Sequence, residues 1–431
     1  MKIKSILSAA AAALITLSAA SQERIILVNE GVWQTDNGRV SYFDNGKIVS
    51  NRWFRDRNGY KLGDTPNDII QINDNLIAIA VNWSNIVQFI SPEGNAVAAT
   101  EDVPNNRKLA SDGGRYVYVS SYGHECKVNG TYEDFTRGFV AKIDVTTFKV
   151  VAATEVGYEP EGIAYYKGKI FVANTGGYAY TEYHDFEQTV DVLDAVTMKK
   201  ERSIDTGKIN LYGKMSQTGQ YLLINSAGDC YEVKPCGIIL DCQAVIDGKP
   251  DSECFIVTER PCTFSTATND GKFLAVGSGY SYISSDYGDI SFSTIDPKRV
   301  FETAGREGIT ETMPGTMLQD IRQLAMPYGI YVNPYTGYHY ATDASDYASS
   351  GRLLQWDNHG QYIGSWGVYI NPGHILALPP DGMHFGGVDD IVADTPAPAD
   401  NTIYNLQGIP VTNPAPGQVY IMNGRKFIKQ N

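Results

Sequence analysis

A repeated tile constrains this chain more than any other feature. The stretch PEGIAYYKGKIFVANTGG, Pro160 to Gly177, reads as two short apolar strands joined by a Lys-Gly turn and closed by a polar Asn-Thr-Gly-Gly. A related pattern opens at Pro66, Pro104, a Pro-less position near Asn210, Pro261, Pro327 and Pro372. From Pro66 to Pro372 there are six periods in 306 residues, about 51 each. Four strands at that period is the mark of a β-propeller blade. The seventh start, at Pro372, supplies one strand and stops, whereas the beginning of the chain (RIILVNEG, GRVSYFD, GKIVSNRWF) supplies three strands and lacks the first. Pairing the two ends completes a blade and removes two exposed sheet edges. The expected fold is all-β, a seven-bladed β-propeller; two packed sandwiches would leave the complementary ends unexplained.

Composition agrees with many strands and turns. The 431 residues include 28 Tyr and 42 Gly, and aromatic residues make up 11%. The formal net charge is −14, or −16 once Lys2 and Lys4 are removed with the first twenty residues. No Lys/Arg cluster stands against that charge, so no nucleic-acid partner is expected.

The start, MKIKSILSAAAAALITLSAASQ, has the two lysines, short apolar run and small residues of a secretory signal peptide, with cleavage near Ala20 or Ser21. A buried first helix is the other reading. The run is too short to span a bilayer and no other stretch is long enough, so no transmembrane segment is expected. The domain plan is therefore a signal peptide at 1–20, the propeller at 21–388, an acidic Pro/Ala-rich linker at 389–400 and a small β-module at 401–431. In that module Val419 to Met422 and Arg425 to Lys429 flank Asn423-Gly424, a type I′ hairpin signal.

Two resemblances attach to these motifs. Phe171-Val172-Ala173-Asn174 and Val190-Asp191-Val192-Leu193-Asp194, with FVAKIDVTTFKV as a second copy of the latter element, are similar to the YncE-like (YVTN-type) propellers. Residues 23 to 385 as a whole resemble the related surface propellers of Bacteroidetes. That resemblance implies a cell-surface or extracellular protein. It also implies a corrinoid (cobalamin) as a possible ligand and an outer-membrane transporter as a possible partner. The corrinoid binders are lipoproteins, and the lipid-anchoring Cys is missing from the start of this chain. The C-terminal segment resembles the secretion-sorting domain of Bacteroidetes cargo through Tyr404, Leu406, Gly408, Val411, Tyr420, Gly424 and Lys429.

Propeller geometry puts the loop after each second strand on the same face as the loop leading into the next blade. The second strands end at Asn29, Asn82, Ser120, Asn174, Asn225, Ser278 and Asp343, a ring of polar residues in register. Such residues cap turns through their side chains, and they could equally face a ligand. The loops that follow carry Trp33, Trp83, Tyr122, His124, Tyr178, Tyr180, Tyr183, Tyr280, Tyr282, Tyr287 and Tyr347. Aromatic faces with polar tips suit a large flat ligand or a sugar ring; packing of the loops on one another is the alternative. Asp64, Glu159, Glu161 and Arg260 lie in the loops leading into blades and could add hydrogen bonds.

Catalytic signatures are thin: H-E-x-x-H and G-x-S-x-G are both missing. The expected role is non-catalytic capture of a small molecule or glycan, with no cofactor required. The ligand-binding candidates are Trp33, Trp83, Tyr122, His124, Asn174, Tyr178, Tyr180, Asn225, Arg260, Tyr280, Tyr282, Asp343 and Tyr347. The alternatives are a lactonase-like hydrolase holding calcium with Glu30, Asn174, Asn225 and Asp343, or a protein- or glycan-binding scaffold. Six cysteines allow fifteen pairings. Cys242 and Cys254 would face each other if Gly237 to Ala244 and Glu253 to Thr258 are antiparallel neighbours; buried free thiols are equally compatible.

Overall fold

The computed structural model describes residues 23–180, 184–277 and 290–385, with 403, 411–412, 414–416, 419–422 and 425–428 near the C-terminus. The chain divides into two compact units, 1–387 and 388–431. In the first, seven four-stranded antiparallel sheets follow one another, each in simple up-and-down order. Blade 1 is Pro66–Asn73, Leu76–Val81, Ile86–Ile90 and Ala96–Thr100. The first strands of blades 2 to 6 are Asn106–Ser111, Pro160–Tyr166, Ser216–Thr218, Phe264–Ala267 and Pro327–Val332. The fold is a seven-bladed β-propeller.

Blade 7 closes the ring as the complementary ends require. Pro372–Leu378 pairs antiparallel with Arg24–Asn29, from Arg24 opposite Leu378 to Val28 opposite His374. Arg39–Asp44 and Lys47–Ser50 complete the sheet. Buried Glu23 ties this end of the chain to blade 6, accepting from Asn333 Nδ2 at 3.0 Å and from the Tyr340 hydroxyl.

The burial pattern follows from blades packed face to face. Leu76–Val81 and Phe139–Asp144 are buried at every position, because both sides of a middle strand meet a neighbouring blade. Outer strands such as Tyr362–Gly367 alternate between more and less exposed positions, as half-buried strands do. Among the described residues seven apolar clusters result, one at each blade junction. Phe89, Val119 and Phe139 join blades 1 and 2; Ile25, Leu27, Tyr340 and Ile375 join blades 6 and 7.

Two local expectations change. The loop after the second strand of blade 2 is a hairpin, Glu125–Val128 with Thr131–Asp134, turning at Asn129 and Gly130, both at positive φ. It carries Cys126 into the junction of blades 1 and 2. The strands around Cys242 and Cys254 do pair, Gly237 opposite Thr258 and Leu240 opposite Phe255, but the thiols do not. The strand stops at Asp241, whose carboxylate caps a short helix, Cys242–Ile246, and Cys254 ends another, Asp251–Cys254. Cys254 donates instead to the carbonyls of Pro250 and Lys249, at 3.3 and 3.5 Å. All six cysteines are free.

The second unit contains the expected hairpin, Val419–Met422 with Arg425–Ile428. Asn423, Gly424, Tyr404, Leu406, Gly408 and Lys429 lie outside the described residues.

Candidate functional site: an axial cavity

The polar ring turns out to be architecture. Asn174 accepts from the Gly157 amide at 3.1 Å and donates to Thr189 and Asp191 at 3.0 and 3.1 Å. Asn225 accepts from the Cys262 amide and donates to the Tyr212 carbonyl, both at 3.2 Å. Asp343 accepts from the Met326 and Ser345 amides at 2.9 Å and from Arg352 at 2.6 Å. Against the desolvation that burial imposes, Arg352 and these amides hold its carboxyl below the ordinary range. Asn29, Asn82 and Ser120 are likewise buried and spent on neighbouring strands, and Ser278 lies outside the described residues. The oxygen set proposed for calcium is therefore committed elsewhere: Asn174 and Asp343 serve their own blades, and Glu30 serves His374 and Tyr328. Among the described residues no group of three His, Cys, Asp or Glu side chains gathers as a metal site.

The loop aromatics pack largely in pairs. Trp33 and Trp83 meet edge to face at 5.1 Å and stay 59% and 47% exposed, an apolar step on the rim. Tyr122 and Tyr178 meet edge to face at 5.4 Å, and the Tyr178 hydroxyl takes a hydrogen bond from Asn105 at 3.3 Å. Tyr180 donates to the Asp229 carbonyl at 2.8 Å and packs on Phe186 and Tyr231. His124 is exposed beside the hairpin of blade 2, and Arg260 pairs with Glu311. Tyr183, Tyr280, Tyr282 and Tyr287 lie outside the described residues.

A cavity of about 740 Å³ runs along the axis, lined by the first strands of blades 2 to 7 and the loops leading into them. Of the described sequence candidates, Glu30, Glu161, Asn225 and Tyr347 line it; Tyr122 reaches it through its hydroxyl, which donates to Glu161. Its polar layer comes from the beginnings of the first strands, from the loops leading into them and from Glu30, just after the second strand of blade 7. Glu161 accepts from Arg107 at 2.7 and 3.2 Å and lies 3.7 Å from the Lys108 ammonium. Glu30 accepts from His374 at 2.9 Å and from the Tyr328 hydroxyl at 2.7 Å. Lys214, in the loop leading into blade 4, reaches Asp68 of blade 1 at 2.7 Å. Gly213, at φ +102°, makes the turn before it. The lining also carries apolar side chains, Ile163, Met215, Phe264, Ile330 and Ile375, among polar ones such as Ser265 and Thr266.

Burial sets the protonation of this layer. Desolvation pushes the Lys108 ammonium down against the pull of Glu161 and Asp68, and pushes His374 down with help from the Lys108 charge. Glu161 is held below the usual carboxylate range because Arg107 and Lys108 outweigh its desolvation. The Glu161 charge and burial push the Tyr212 hydroxyl up to about 12. At neutral pH the wall thus presents ionised carboxylates, neutral tyrosines and a neutral histidine.

Lys108, Lys214, Tyr212, Tyr328 and His374 escaped the sequence reading, which looked at the loops after second strands and, in the loops leading into blades, only at Asp64, Glu159, Glu161 and Arg260. The signal lay in the first strands: Asp68 and Lys108, like the already noted Glu161, sit one or two residues into apolar first strands.

No protein-family model matches the chain, and no curated protein matches it either. Solved structures do resemble it. A functionally unknown protein from Desulfotomaculum acetoxidans aligns at TM-score 0.53 and 13% identity, covering 84% of this chain and 100% of that one. A quinoprotein alcohol dehydrogenase-like protein from Bacteroides thetaiotaomicron aligns at 0.52 and 12%, covering 83% and 78%. Hydrazine synthase from Kuenenia stuttgartiensis aligns at 0.50 and 15%, covering 72% and 92%. At such identities the likeness is one of fold: the chain shares the propeller scaffold. No helix among the described residues is long and apolar enough to cross a membrane.

Proposed function

We propose that the protein is an exported, cell-surface propeller that captures a small-molecule ligand at the mouth of its axial cavity without transforming it. The carrying observation is the cavity itself: about 740 Å³, lined by both apolar and polar side chains, Tyr212 and Tyr347 among them. That volume and chemistry fall in the range of ordinary small-molecule sites. The secretory-type start and the resemblance to Bacteroidetes surface propellers support export and make a corrinoid the first ligand to test. Such a ligand would rest its ring system against the aromatic rim, with an outer-membrane transporter as the onward partner. The exposed Trp33–Trp83 step supports a second reading, a sugar ring stacked on the rim.

Equilibrium dialysis with cyanocobalamin at micromolar protein tests the first reading. Saturable binding is expected, weakened about tenfold or more by Tyr347→Ala if this ring is an anchor. An absence of binding rejects the corrinoid, and unchanged affinity in the variant removes Tyr347 from the site.

A further inference from the structure

The hydrogen-bonding capacity of the cavity is unevenly spent. Both oxygens of Glu30 are occupied by His374 and Tyr328, and both oxygens of Glu161 by Arg107 and Tyr122. Each carboxylate oxygen facing the cavity thus already has a protein partner, with two bonds at Glu30 and three at Glu161. The donors are less fully spent. An ammonium has three N–H groups. Lys214 directs one interaction to Asp68 at 2.7 Å, lines the cavity, and leaves its side chain 45% exposed. Lys108, also in the lining, gives one hydrogen bond to the Asn67 carbonyl at 2.8 Å and faces Glu161 at 3.7 Å.

Topology makes the Lys214 contact unusual. Its partner belongs to blade 1, three blades away around the ring, so the ion pair crosses the axis rather than joining neighbours. Asp68 is fully buried, does not line the cavity, and is held by the Leu109 amide at 2.9 Å. It anchors Lys214 across the axis while the remaining N–H groups stay available to a ligand. The same lining includes the apolar side chains of Ile163, Met215 and Ile330.

We propose that the cavity selects ligands carrying an oxyanion, a carboxylate or a phosphate, on an apolar body, and that Lys214 is the residue that reads it. The proposal rests on the capture reading above and specifies its ligand chemistry. A matched series of fluorescent probes tests it on the full chain: 1-naphthoate, 1-naphthyl phosphate and neutral 1-naphthol. One or both anions should bind about tenfold tighter than the alcohol, and the order of the two separates a carboxylate site from a phosphate site. Lys214→Met should remove that advantage and leave 1-naphthol binding unchanged. Because this variant strands a buried carboxylate, Asp68→Asn provides an independent arm. It keeps an acceptor for Leu109, frees Lys214, and should raise anion affinity about threefold or more without affecting the alcohol. Equal binding of all three probes, or anion binding indifferent to both substitutions, overturns the oxyanion inference and leaves capture standing. Failure of all three probes to bind counts against capture itself and takes this inference with it.

Discussion

Gly138 shows how much of the tile is decided by single atoms. A Cβ there would lie 2.1 Å from Pro160 Cδ and 2.7 Å from the Ser121 carbonyl oxygen. The same arrangement recurs at Gly38 against Pro66 and at Gly351 against Pro372. In each case a glycine just before a third strand makes room for the proline that opens the next blade. Gly138→Ala is therefore expected to destabilise the propeller by about 1–3 kcal/mol, as overpacking of a closed site does, measured by denaturant unfolding. A wild-type midpoint would mean that Pro160 can move aside. The prolines were visible in the sequence as period markers. Their glycine partners were not, because the two belong to different blades and only the ring brings them together.

Among the elements, the second strand of blade 6, His339–Asp343, carries a titration that can be followed. His339 is buried, its Nδ1 2.9 Å from the Asp357 carbonyl, and desolvation lowers its pKa from 6.5. A group depressed in this way stabilises the fold above its unfolded pKa and loses that contribution as pH falls through its folded value. Stability measured from about pH 7.5 down to about 5 should fall on the acid side, and His339→Gln should flatten part of that slope. An identical slope in the variant would assign the loss to other groups, among them His374, which burial also depresses. The first strands teach a related lesson. Their apolar alternation announced a packed blade, and the isolated Asp68, Lys108 and Glu161 look like exceptions in a linear pattern. They become a polar layer only when seven first strands share one axis.

For the whole molecule, closure is the decisive feature. Pro372–Leu378 covers the Arg24–Asn29 strand, whose Ile25, Leu27 and Val28 are buried. A chain ending at Asn371 would expose that edge and open the junctions on both sides of blade 7. It should lose the single cooperative thermal transition expected of the intact ring, read by circular dichroism. An unaltered melt would show that six blades and a partial seventh suffice.

Blade number, blade boundaries and the closing partnership were determined by the sequence alone. They depend on local periodicity, turn residues and the incompleteness of each end, all of which are properties of neighbouring residues. The function of the ring residues and the identity of the cavity wall were decided only by the tertiary structure. Asn174 and Asp343 look like ligand groups until their backbone partners are in view, and Lys214 looks like a solvated loop residue until Asp68 lies opposite it across the axis. The pairings of Asn174 and Asp343 span 17 residues and that of Lys214 spans 146, and no local pattern encodes them. They arise because seven blades, each specified by its own stretch of sequence, must converge on one axis.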